Sequence, residues 1–287
     1  LMTSDGFFGS TRGTSYSFST QPVAERDGKM ERDYDYGHAR FFADLPEPTA
    51  IGRNAGERAA ARLSPRKVQS QKAPVIFENR VAGRIIGPLF GAISGAAVAR
   101  GVSFLKDKLE KPVFSPDITI IENPFKKRGF ASRSFDGEGG AVKERALIDK
   151  GVLTTWLLNA AAARQLNLEP TGHGTYGHGG PPGISTSNLS VSAGEKDLTA
   201  LMRDAGAGLL VTDMFSPSIN SNTGDWSLGV SGFWFENGER VFPVSEITVA
   251  GNLIDIFMRL RAGSDVDKRG ALEIPSLIVD ELVIGGV

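Results

Sequence analysis

Cysteine is absent from all 287 residues of the chain. That removes disulfides, thiolate metal ligands and a cysteine nucleophile together, and it fits a reducing compartment. Histidine is nearly as scarce. Imidazole chemistry rests on His38, His173 and His178 alone. Excess charge of either sign is missing too: 32 basic residues against 33 acidic ones give a formal net charge of −1, and no electrostatic case for a nucleic-acid partner exists. The opening Leu1-Met-Thr-Ser-Asp5 has neither the basic start nor the apolar core of a signal peptide. There is no Gly-x-x-x-x-Gly-Lys-Ser/Thr loop to cradle phosphates and no Gly-x-Ser-x-Gly elbow to present a serine nucleophile.

Long hydrophobic runs are lacking with one exception. From Val81 to Ala99 the only charge is Arg84, and such a length approaches a membrane span. Pro88 and Ser94 interrupt the run, and no aromatic belt or basic flank follows it. Gly83, Gly87, Gly91 and Gly95 recur every four residues, which places them on one face of a helix. A buried helix whose glycine face admits a neighbouring backbone is the expectation, with no membrane crossing.

The aromatic run Phe233-Trp234-Phe235 leads into Asn237-Gly238, the pair best suited to the positive φ angles of a type I′ turn. The return strand alternates Val241, Pro243, Ser245, Ile247 and Val249, and its proline suits an edge or a bulge. Tyr16–Thr20 and Met30–Phe41 are expected as two strands joined near Asp27-Gly28. Thr49–Leu63 is expected as an amphipathic surface helix, and Ser64–Lys72 as a solvated linker. Pro74–Phe77 reads as a buried strand, Ile118–Glu122 as another, and Val142–Ile148 with Val152–Leu158 as a hairpin around Lys150-Gly151. Thr171–Thr186 reads as a glycine- and proline-rich loop, Lys196–Ala205 as a helix, and Gly208–Met214 and Ser276–Val283 as further strands. Strands joined by tight turns, with no heptads or internal repeat, specify an α+β fold: a large, mostly antiparallel sheet with packed helices.

Candidate chemistry is sparse. His173 and His178 stand in the glycine-rich loop Thr171–Gly180, where they either meet a metal, peptide or partner or hydrogen-bond locally. His38, on a strand, reads as structural. Asp136 and Glu138 form a carboxylate pair able to divide acid and base work, though Asp-Gly-Glu-Gly is also ordinary turn chemistry. Asn220, Asn222, Thr223 and Asp225 form a polar cluster that either braces its own loop or faces a ligand. Ser185, Ser187, Ser190 and Ser192 alternate as a solvent-exposed face would.

The motifs also carry a resemblance. In order along the chain they are Tyr16–Ser19, Met30-Glu-Arg-Asp-Tyr34, Pro74-Val-Ile-Phe77, Ile93-Ser-Gly95, Phe135-Asp-Gly-Glu-Gly139 and Gly151-Val-Leu-Thr-Thr-Trp-Leu-Leu158. Thr171-Gly-His173, Gly224-Asp225, Pro243-Val-Ser-Glu-Ile-Thr248 and Ala250-Gly-Asn252 follow. Together they resemble the TldD/PmbA family of zinc-dependent peptidases, sometimes called modulators of DNA gyrase, and within it the PmbA/TldE branch. The resemblance implies that the chain is the later part of a longer protein. Residues 1–73 would close an N-terminal α/β region, and residues 74–287 would form the C-terminal antiparallel-sheet domain.

In the TldD branch a helix carries His-Glu-x-x-x-His, and a later cysteine completes the zinc site. The corresponding positions fall at Ile85, Ile86 and Phe90, none of which coordinates zinc or moves a proton. A slip of register changes nothing, because Val81–Gly101 contains no His, Asp, Glu or Cys. The resemblance therefore implies a non-catalytic, cytoplasmic subunit without a cofactor of its own. It would hold extended peptide beside a zinc-bearing TldD-like partner, and the sequence leaves open whether the isolated chain forms a homodimer. The alternatives are an independent homodimeric hydrolase using His173, His178 and nearby carboxylates, or a peptide-binding adaptor.

Overall fold

The computed structural model describes residues 1–176 and 180–287. It opens with β1 (Tyr16–Thr20), β2 (Val23–Arg26), β3 (Lys29–Arg32) and β4 (Asp35–Ala39). Asp27 and Gly28, both at positive φ, turn β2 into β3, while β1 pairs antiparallel with β4. The single strand expected over Met30–Phe41 is thus two strands, broken at Asp33-Tyr34. The break exists because Asp33 turns inward: its carboxylate accepts the Tyr34 N–H at 2.7 Å and receives Arg80 Nη1 at 3.0 Å. Helix α1 (Pro48–Ala61) starts with proline at a first-turn position, where its missing N–H leaves no bond unmade, and buries Ile51, Ala55 and Ala59 at four-residue spacing.

The stretch expected as a solvated linker is partly held. Val68 is buried, Arg66 donates its backbone N–H to Pro243, and its guanidinium lies over the Phe242 ring. Next come β5 (Gln71–Phe77), α2 (Asn79–Ala92) and α3 (Gly95–Ala99). In α2 the residues Val81, Ala82, Ile85, Ile86, Leu89 and Ala92 face the core. The glycine face looks the other way, opposite to expectation. A Cβ at Gly87 or Gly91 would meet nothing within 4 Å, and one at Gly83 only the Leu272 side chain. Gly95 alone is tightly packed, against Leu157, Leu158 and Ala162, and it belongs to α3 beyond a break at Ile93-Ser94. The apolar phase of the helix, not its small residues, chooses the buried side. Among the described residues no helix is long and apolar enough to cross a membrane.

The remaining elements are β6 (Ile120–Asn123), β7 (Arg145–Asp149), β8 (Val152–Leu153), α4 (Ala160–Leu166), β9 (Gly174–Thr175), β10 (Gly183–Ile184) and β11 (Asn188–Val191). They continue with α5 (Leu198–Ala205), β12 (Ala207–Ile219), β13 (Asp225–Glu236), β14 (Glu239–Asn252), α6 (Leu253–Arg259), β15 (Arg261–Ala262), β16 (Leu272–Glu273) and β17 (Leu277–Gly285). One sheet runs β16-β11-β6-β7-β8. The larger runs β14-β13-β12-β5-β17-β15, and β14 also pairs with β17 through Thr248–Ala250, so five strands close into a ring. Among the described strands β5–β12 and β11–β16 alone pair in parallel, and the fold is the mixed, mostly antiparallel α+β architecture expected. Strand β5 is covered on both faces. Val75 and Phe77 join the main core with α2, while Ile76 packs with Leu201, Met202, Leu210, Phe235 and Ile278 beneath α5.

The β13–β14 hairpin turns at Asn237 and Gly238, both at positive φ, as a type I′ turn requires. Pro243 sits in the half of β14 that β17 does not pair with, between two register shifts against β13. Gly232 is demanded by packing: a Cβ there would run into the Leu210 carbonyl.

An ionic clamp ties the first strands to the rest. Arg80, with its side chain 5% exposed, bonds Asp33 at 3.0 Å and Glu78 at 2.8 Å. Buried Asp35 receives Arg269 at 2.7 Å and Arg58 at 3.2 Å. Burial alone would raise the Asp33 and Asp35 carboxyls, but the arginines outweigh it and hold both below the ordinary value. Arg80→Met leaves Asp33 with Arg62 as its one remaining cation, 3.4 Å away, and the expected loss is about 1.5–3 kcal/mol at pH 7 in denaturant titrations. A depressed carboxyl contributes stability above its unfolded value of about 4 and loses it as pH falls further. The gap between wild type and Arg80→Met should therefore narrow at pH 3; an unchanged gap contradicts the electrostatic account.

Candidate functional site

Because α2 buries its apolar residues on one side, Arg84, Gly87, Pro88 and Gly91 look outward over a cleft. Pro88 has no N–H to give to the Arg84 carbonyl, so the helix ladder is also broken on this side. The cleft consists of three adjoining cavities. The first, about 480 Å³, lies between α2 and the far half of β12, against Phe215, Ile219, Trp226 and Leu228. The second, about 290 Å³, shares Pro88 and Ile219 with the first and reaches Arg100, Val102 and Phe104. The third, about 430 Å³, shares Gly91 with the second and is walled by Phe90, Asn159 and the segment Pro182–Thr186.

Strand β12 supplies an open edge to this cleft. It pairs with β5 only through Leu209–Val211, because β5 ends at Phe77 and the chain turns into α2. The edge of β12 beyond Val211 therefore runs past α2 with no strand on that side among the described residues. Arg84 Nη1 donates to the Met214 carbonyl there.

The positions expected to match a zinc motif divide between core and cleft. Ile85 and Ile86 are fully buried and share the core face with Val81, Ala82 and Leu89, while Phe90 is half-buried and lines the third cavity. A ligand directed into the cleft from this helix would have to stand at Arg84, Gly87, Pro88 or Gly91, and none of these can coordinate a metal. Among the described residues no group of three His, Asp or Glu side chains is placed to hold an ion. The residues present do not fit a zinc site.

The two loops singled out in the sequence flank the cleft. His173 is 1% exposed. Its Nε2 lies 2.7 Å from Glu122 Oε2 and its Nδ1 2.7 Å from Thr171 Oγ1, so both ring nitrogens meet partners within the chain. Glu122 also accepts the Ser187 N–H at 2.6 Å, with Arg133 3.7 Å away. Burial would raise the Glu122 carboxyl, but the bond and charge of His173 prevail and hold it below the usual range. Through Ser185, whose N–H bonds the His173 carbonyl, this knot fixes the Pro182–Thr186 wall. The stretch expected as plain loop thus contains the β9–β10 pair and a buried anchor. His178 lies outside the described residues.

Asp136 accepts the N–H groups of Glu138, Gly140 and Gly174, and Glu138 accepts that of Ala160 at the start of α4. Both carboxylates serve turns. His38 bonds Ser15 and stacks on Phe130 at 3.8 Å. The serine face expected to be exposed is covered: Ser187 is buried by the bond to Glu122, and Ser185, Ser190 and Ser192 are half-buried.

At the opposite wall, Thr223 donates to Asp225 at 2.7 Å, Asn252 donates to Asp225 and to the Thr223 carbonyl at 2.9 Å each, and Asn220 accepts the Asn222 N–H. The Thr223 and Asn252 bonds hold the Asp225 carboxyl low. These side chains brace the loop, while its neighbours Ile219, Ser221 and Trp226 line the cavities. Arg84, Arg100, Phe215 and Trp226 did not stand out in the sequence. The signal was present for Arg84, the lone charge in an apolar run; Arg100 arrives at the end of α3, and Phe215 and Trp226 reach the cleft only through long-range strand pairing.

Two family models match the chain: the PmbA/TldA metallopeptidase central domain over residues 1–63 and the PmbA/TldA metallopeptidase C-terminal domain over residues 70–286. The chain is 40% identical over 274 residues to Metalloprotease PmbA of Escherichia coli O157:H7, covering 95% of this chain and 59% of that protein. It is 37% identical over 284 residues to a Metalloprotease PmbA homolog of Haemophilus influenzae, covering 99% and 61%. The chain therefore spans about three fifths of the length of these relatives. Among solved structures, a Bacteroides thetaiotaomicron protein described as a candidate modulator of DNA gyrase superposes with a TM-score of 0.91 at 33% identity, covering 99% of this chain and 63% of that one. TldE from Thermococcus kodakarensis, at 18% identity, 95% and 63% coverage and a TM-score of 0.85, shares the fold.

Glu122→Ala removes the acceptor for His173 and the Ser187 N–H inside the protein, and should destabilise it by about 3 kcal/mol. The loss should appear first as proteolysis within residues 171–186; unchanged protection of that segment would remove Glu122 as its anchor.

Proposed function

The chain belongs to the PmbA/TldA metallopeptidase family, and we propose that within it this chain is the substrate-holding, non-catalytic subunit of a two-chain zinc peptidase of TldD/TldE type. The observation that carries this reading is the outward face of α2, where Arg84, Gly87, Pro88 and Gly91 border the cleft without one metal-binding or proton-moving group. Peptide hydrolysis would then take place on zinc-activated water in a TldD-like partner. This chain's own part is to bind and orient. The free edge of β12 offers backbone groups to an extended peptide, which can add there as a strand with little side-chain selectivity. The apolar cavities beside Trp226 and Phe90 take alternate side chains. Absence of cysteine suits work in the cytoplasm.

An independent hydrolase built on His173 is less well supported. Both of its nitrogens are engaged in the buried knot with Glu122 and Thr171, and no cavity described above reaches its ring.

The deciding experiment measures cleavage of an unstructured peptide by this chain, by a TldD-like partner and by their mixture, with zinc quantified in each. Stoichiometric zinc with the partner and full cleavage only in the mixture is expected; zinc-dependent cleavage by this chain alone would sink the proposal. A second prediction separates holding from folding. Gly91→Leu has room for its side chain and should stabilise α2 by about 0.5–1 kcal/mol. It should nevertheless lower cleavage by the mixture about ten-fold, because the new side chain occupies the junction of the second and third cavities. Unchanged cleavage would move peptide holding away from this cleft.

A further inference from the structure

The charges around the cleft are one-sided. Of all the residues that line its three cavities, only Arg84 and Arg100 are ionisable, and both are basic. Neither pairs with a carboxylate among the described residues. Arg80, by contrast, is answered by Asp33 and Glu78.

Resting on the reading that this cleft holds peptide, we infer that its occupant is an extended apolar segment bearing a carboxylate, either an acidic side chain or a free C-terminus, next to a bulky apolar residue. The apolar residue enters the cavity between Pro88 and Trp226, whose walls of Phe215, Ile219 and Leu228 offer it no polar partner. The carboxylate meets Arg84 at the rim of the same cavity. Arg84 is pre-positioned: Nη1 is fixed on the Met214 carbonyl, and Nε and Nη2 make no bond among the described residues. A guanidinium held by one edge presents the other for charge-assisted bonds with little further ordering. Arg100 stands in the adjoining cavity across Pro88 and Gly91. From Arg84 to Gly91 the helix rises about 10 Å, the length of about three residues of extended chain. One peptide therefore reaches both cations, and a basic peptide would set like charges against them with no acid to relieve the repulsion.

The test uses fluorescein-labelled octapeptides with one apolar core and Glu, Gln or Lys at the neighbouring position, each with a free or an amidated C-terminus. Binding to the chain is followed by anisotropy and by the tryptophan emission to which Trp226 contributes. The Glu peptide should bind about ten-fold tighter than the Gln peptide, and the Lys peptide more weakly than either. The Glu preference should shrink between 50 mM and 500 mM salt. In the double variant Arg84→Gln, Arg100→Gln the Glu peptide should fall to the level of the Gln peptide, while a Tyr16→Ser control, remote from the cleft, keeps the preference. If Glu, Gln and Lys peptides bind equally, the charge inference fails and peptide holding stands. If none of them binds, or if Gly91→Leu leaves binding unchanged, the reading of the cleft itself fails.

Discussion

Everything that gives this molecule a site follows from the one-sided burial of a single helix. Val81, Ala82, Ile85, Ile86, Leu89 and Ala92 recur at the helical period and commit α2 to the core beneath the large sheet. Six apolar side chains leaving water stabilise that orientation by roughly 1.5–3 kcal/mol for each of the larger ones. No rotation of the helix preserves it. The outward face is fixed by the same act, and its glycines leave a trough that loops and strands border without filling. The break at Ile93-Ser94 then lets Gly95 dive between Leu158 and Ala162, which ends the trough and sets its third cavity against α4.

The larger sheet serves the same arrangement. Closing β14 onto β17 removes two edges, and a closed ring resists unwanted pairing with other chains. Closure is incomplete where it matters: β5 stops at Phe77 to become α2, so the far half of β12 keeps an unpaired edge beside the trough. The ionic clamp around Arg80 holds the early strands against the opposite end of α2. Helix, open edge and clamp are consequences of one strand ending early.

Local chemistry was legible in the sequence. Asn237-Gly238 specified its turn because two positive φ angles are a demand of the backbone itself, and the helix expected over Thr49–Leu63 is met by α1 at Pro48–Ala61. What the sequence concealed was direction and partnership. Glycines four apart must share a helical face, but only the phase of the apolar residues says whether that face is packed or open, and here it is open. His173 looked available for chemistry because its loop is rich in glycine. Its partner Glu122 lies 51 residues earlier on β6, a pairing no local pattern encodes. The Met30–Phe41 stretch looked continuous because its aromatics alternate, whereas Asp33 interrupts it to reach Arg80 forty-seven residues later.

The same helix decides where this fold tolerates a polar or charged side chain. Residues 85 and 86 pack against the sheet with no exposure, and an imidazole or carboxylate placed there without a partner would cost several kcal/mol. A ligand set on this helix is physically tolerable only on the outward face, at positions such as 84, 87, 88 and 91. Those positions contribute almost nothing to the core. Core packing and trough lining are therefore set by opposite faces of one helix, and the trough carries an open strand edge and two arginines that pair with no carboxylate among the described residues. Among the described residues that line the trough, the charge of this outward face is of one sign.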